Sequence, residues 1–109
     1  MFHTIRTFTR DGFDICFSVA PEQDNPNDHF DDDGETARAI ANGEFEWFIA
    51  RVNVSRHGIE LGDDYLGGCC YKTFDDFMTD SGYFEDMISG AIAEAETAIR
   101  RLCGTADAF

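Results

Sequence analysis

The stretch Asp24-Asn25-Pro26-Asn27-Asp28-His29-Phe30-Asp31-Asp32-Asp33-Gly34-Glu35 gathers enough carboxylates to raise calcium coordination first. An EF-hand loop needs acids at positions one, three and five, Gly at six and Glu at twelve. Setting Gly34 at six puts His29 first and Ile40 twelfth, so both terminal ligands fail. Zinc asks for four Cys or His ligands, usually in closely spaced pairs. Cys69 and Cys70 are adjacent, and neighbours on a strand point to opposite faces, while His3, His29 and His57 are scattered. Cys16 and His3 are the best nucleophile–base candidates, but they lie on separate strands, and such a pair needs hydrogen-bond reach. No glycine pattern matches a P-loop or a dinucleotide fingerprint. The carboxylates are too many to single out a glycosidase pair, which also needs a sugar cleft that a short chain rarely builds. These residues point away from catalysis, and no cofactor or metal is expected.

What the carboxylates do offer is charge. The 109 residues carry 22 Asp and Glu against eight Lys and Arg, a formal net of −14. Nine acids fall between Asp11 and Glu35 with no Lys or Arg among them, and ten between Glu60 and Glu96 with only Lys72. Such a surface repels nucleic acid and attracts basic protein surfaces. Duplex DNA carries about one negative charge per 1.7 Å of axis, and carboxylates on loops and helix turns approximate that display. A basic groove built for nucleic acid would accept it. The competing reading is a merely solvated, soluble surface.

Those acids must be held by a folded scaffold. Apolar residues make up 43% of the chain and aromatics 14%, with eleven Phe, which argues against an acidic disordered segment. The length fits a single domain spanning residues 1–109. Phe2–Arg10 and Phe13–Val19 alternate, and Asp11-Gly12 between them signals a type I′ hairpin. A two-residue loop sets Phe8 opposite Ile15, Arg6 opposite Phe17 and Thr4 opposite Val19. Phe8, Phe13, Ile15, Phe17 and Val19 are then the core face. Pro21 and Pro26 place Ala20–Gly34 in a loop. Asp33 or Gly34 starts a short helix over Glu35–Ala41, ended by Asn42-Gly43. Phe45–Arg56 alternates as a third strand, with Phe48, Ala50, Val52 and Val54 on one face and Trp47, Ile49, Arg51 and Asn53 on the other. His57-Gly58 turns into Ile59–Leu61; Gly62–Asp64 reads as an interruption, a bulge or widened loop, before Tyr65–Tyr71 resumes. Thr73 caps a helix with Asp76 three residues on. A final helix from Tyr83 to Cys103 carries a stripe of Phe84, Met87, Ile88, Ala91, Ile92, Ala95, Ile99 and Leu102. The pattern predicts an α+β two-layer sandwich in ββαββα order, with an antiparallel sheet of about four strands and a long C-terminal helix.

No apolar run is long enough to span a membrane. Met1–Arg6 opens as a strand rather than as a signal peptide, so a cytoplasmic setting with reduced cysteines is expected.

The stretches Thr9–Phe13, Gly43–Phe48, Gly58–Tyr71 and Gly82–Met87 resemble those of small acidic proteins of bacterial plasmids, integrated elements and phages. Such elements also carry anti-CRISPR and anti-restriction proteins, several of them acidic DNA mimics. The resemblance implies a non-enzymatic inhibitor and brings no catalytic residue with it. The residues expected to meet a basic CRISPR effector subunit or restriction enzyme are Asp24, Asp28, Asp31, Asp32, Asp33 and Glu35 in the loop. A second patch is Asp63, Asp64, Asp75 and Asp76, with Trp47 or Tyr65 as apolar anchor. The alternative is a mobile-element scaffold domain that binds a protein through an apolar sheet face around Trp47.

Overall fold

The computed structural model describes residues 1–30 and 32–103. It is an α+β fold with a four-stranded antiparallel sheet and a long C-terminal helix. The strands are β1 (His3–Arg10), β2 (Phe13–Pro21), β3 (Glu46–Arg56) and β4 (Ile59–Tyr71), in spatial order β1-β2-β3-β4. The helices are α1 (Glu35–Ala41), α2 (Phe74–Asp80) and α3 (Tyr83–Cys103), with a short 3-10 turn at Pro26–Asp28.

Both hairpins turn on the residues expected. Asp11 and Gly12 have φ of 54° and 82°, and His57 and Gly58 have 55° and 78°. Positive φ at both central positions gives primed turns, whose twist suits antiparallel strands. Phe8 pairs with Ile15 and Arg6 with Phe17 as the two-residue loop requires. The register then slips at Ile5, so Thr4 meets Ser18 and His3 meets Val19. The pairing of Thr4 with Val19 is thereby corrected. One extra residue in β1 moves Phe2 and Thr4 off the face of Arg6 and Phe8.

One sheet face is buried under α2 and α3. Phe13, Ile15, Phe17 and Val19 from β2 and Phe48, Ala50, Val52 and Val54 from β3 form the core with Phe77, Met78, Phe84, Met87, Ile88 and Ile92. Phe17 stacks on Phe77 at 5.6 Å and meets Phe84 edge-on at 5.0 Å, arrangements that aromatic quadrupoles favour. The α3 stripe is buried from Phe84 to Ile99, but Leu102 is exposed because the helix outruns the core.

β4 does not break at Gly62–Asp64. It pairs with β3 from Ile59 to Tyr71, with irregularities beside Leu61 and at Gly67-Gly68. α3 packs directly on Gly62: a Cβ there would sit 2.2 Å from the Ala91 carbonyl oxygen and 3.0 Å from the Ala95 nitrogen. The glycine that looked like a strand breaker is the seat of the long helix.

Candidate interaction surface

The second sheet face carries the acidic loop. Three contacts tie that loop to the start of β3 and the end of β4. The Glu22 amide donates to the Trp47 carbonyl at 3.2 Å, and Glu22 Oε1 accepts from the Gly68 amide at 2.6 Å. Trp47 Nε1 donates to the Asp24 carbonyl at 3.0 Å. The rings of His29 and Phe30 then lie 5.2 and 5.8 Å from the indole. Asn25 caps the 3-10 turn by accepting from the Asn27 amide at 3.0 Å. Trp47 is therefore half-buried beneath the loop and acts as its anchor, not as an open apolar patch.

This anchoring turns acids outward. Asp24, Asp28, Asp33 and Glu35 are exposed, with Asp24 Oδ2 3.4 Å from His29 Nε2. Asp33 takes a left-handed φ of 57°, and Arg38 donates to its backbone carbonyl rather than to its carboxylate. Asp32 differs: its Oδ2 accepts from the Thr36 amide at 3.1 Å and from the Thr36 hydroxyl. The helix starts at Gly34 as expected, but Asp32 supplies the cap. That Thr36 hydroxyl, chiefly, holds the Asp32 carboxyl below its ordinary range; burial opposes it, and amides of Thr36, Gly34 and Glu35 assist. Asp31 lies outside the described residues.

The second patch does not form as one surface. Asp63 pairs across the sheet with Asn53, whereas Asp64 pairs with Val52 and so belongs to the helix face. Both sit on β4, at one edge. Asp75 lies 3.7 Å from Arg6 of β1, at the opposite edge. Asp76 gives its amide to the Thr73 hydroxyl at 3.0 Å, the expected cap of α2. Tyr65 is 51% exposed and meets Phe2 edge-on at 5.9 Å. Phe2 in turn lies over Arg51, whose Nε donates to Asn53 at 2.5 Å, and Asn53 donates to Glu60 at 2.6 Å. Spacing in the chain gave no signal for this relay or for the clamp of Glu22 on Gly68, since each joins residues of different strands or loops.

Chemistry beyond charge finds little geometry. Among the described residues no three His, Cys, Asp or Glu side chains are grouped to hold a metal. His3 stands opposite Val19 and Cys16 opposite Thr7, so the β1 slip puts the two on different faces. Burial pushes the Cys69 thiol up to about 11, which keeps it protonated and a poor nucleophile near neutrality. No helix is long and apolar enough to cross a membrane.

No family model matches this chain, and no curated protein or solved structure matches it.

Proposed function

We propose that the chain is a non-enzymatic inhibitor of a bacterial defence complex, a CRISPR effector or a restriction enzyme, whose acidic surface occupies a basic nucleic-acid groove. The observation that carries this reading is the lack of internal neutralisation. Asp31 and Asp107 lie outside the described residues, which leaves 20 acids against all eight Lys and Arg. The described carboxylates therefore outnumber the Lys and Arg by twelve. Several cations also turn elsewhere: Arg38 to a carbonyl, Arg51 to Asn53 and the Phe2 ring, Arg100 to Thr97.

Shape supports the same reading. The molecule measures 55 × 24 × 22 Å. The twelve net negative charges of the described residues, spread over 55 Å, give about one per 4.6 Å. Duplex DNA has about one per 1.7 Å, and a single strand about one per 3.4 Å. Average density thus approaches a single strand rather than a duplex, and competition with a duplex relies on the local cluster at Asp24–Glu35. On the fold, we read α2 and α3 as one layer on the sheet, a two-layer sandwich in ββαββα order in which these two helices together make the last α unit. The scaffold alternative is less favoured because His29 and Phe30 lie on the indole that would anchor it.

The test is capture on immobilised protein from a lysate of a host with active defence systems, followed by elution with DNA. The expected result is a basic nuclease or effector subunit in the DNA eluate. A partner that ignores both DNA and salt sinks the proposal.

A further inference from the structure

β4 ends the sheet, and among the described residues no strand lies beyond it. Two of its amides are held by carboxylates instead of by a neighbouring strand. The Tyr65 amide donates to Asp64 Oδ1 at 3.0 Å, and the Gly68 amide to Glu22 Oε1 at 2.6 Å. A backbone donor at a sheet edge needs an acceptor, and an incoming strand supplies carbonyls in that role. Glu22 belongs to the loop clamp, so the Gly68 end is occupied. Over Gly62–Leu66, regularly paired with β3 between two irregularities, the Tyr65 amide is held only by the side chain of its neighbour Asp64, which an incoming carbonyl can replace, freeing that carboxylate.

We infer that the outer edge of β4 over Gly62–Leu66 receives an extended segment of a partner protein bearing two consecutive Lys or Arg residues, as a fifth strand. This rests on the reading that the partner is a basic protein, and it names how part of that partner is held. Five residues offer about 17 Å of edge. Asp63 and Asp64 sit on opposite faces of β4, and so do consecutive residues of an incoming strand. Adjacent cations therefore meet one carboxylate each. Tyr65 shares the face of Asp63 and presents a half-exposed ring to the same cation. A second copy of this chain is the wrong occupant. It would bring acidic edge against acidic edge, and like charges directly opposite destabilise a strand pair. The flanking irregularities also blunt the edge against open-ended pairing.

The experiment titrates ¹⁵N-labelled protein with the peptide Thr-Val-Lys-Lys-Val-Thr. Two further peptides are N-methylated at alternate backbone nitrogens, one in each frame. The expected result is amide shifts centred on Gly62–Leu66, with one methylated frame weakened at least tenfold and the other binding like the parent. Asp63→Asn with Asp64→Asn weakens the parent peptide about tenfold. Equal binding of both methylated frames, or shifts confined to residues 24–35, overturns strand addition and leaves the decoy reading standing. Absence of peptide binding, or self-association through β4, also overturns it. Frame-selective binding together with a captured partner indifferent to DNA retains the edge and removes the decoy.

Discussion

Gly62 has no room for a side chain. The Ala91 carbonyl stands 2.2 Å from where a Cβ would be, and it belongs to the backbone of α3, which cannot rotate aside. Gly62→Ala therefore lifts the helix from the sheet. We expect a loss of about 3 kcal/mol, at the upper end of ordinary overpacking, read as a lower urea midpoint with unchanged slope. Cys69 carries the other residue-scale prediction. Burial, its largest cause, raises the thiol from an ordinary 9.0 to about 11, with the Glu22 charge also raising it and a bond to the Ala50 backbone opposing. The fold thus favours the protonated form. Between pH 9 and 11 the unfolded chain releases this proton while the folded chain keeps it, so stability falls as pH rises through that window. The fall is expected to be smaller in Cys69→Ala, measured by denaturant melts at several pH values. In the folded protein Cys69 should resist alkylation at pH 8, until denaturant is added.

At the scale of elements, α1 is seven residues long and holds no buried residue, so its ends decide whether it forms. The Asp32 carboxylate is the side chain seen capping its first turn. Asp32→Ala should destabilise α1 and speed amide exchange across Glu35–Ala41. Because the fold lowers this carboxyl, its contribution is present above the ordinary value of 3.8 and is lost as pH falls through the lower folded value. The bounds of α1 were legible because helix formers end at Asn42-Gly43, and the hairpins were legible because Asp-Gly and His-Gly accept positive φ. Alternation exposed the core face of β2 and β3, and a three–four spacing exposed that of α3. The rest was hidden for a physical reason. A bulge at Ile5 inserts a residue without any change of residue type, and a glycine that breaks a strand looks the same as one that seats a helix. The acidic loop was visible as composition. Its attachment through Glu22, Trp47 and Gly68 was not, because it depends on contacts across more than twenty residues of chain.

The whole molecule is a charged rod. Its excess carboxylates repel one another over distances comparable with the screening length, about 10 Å at 0.1 M salt. Raising NaCl from 0.05 to 0.5 M should therefore raise the thermal midpoint by several degrees while slowing association with a basic partner. Opposite responses of folding and binding to one variable distinguish this from a neutral scaffold. Such a scaffold would show little change in either.

Trp47 is the chain's lone tryptophan, and it sits where the acidic segment is pinned. Its ultraviolet emission is thus a native optical probe of that segment alone. A red shift that precedes loss of helical ellipticity on warming would reveal detachment as a separate, earlier event, with no label attached.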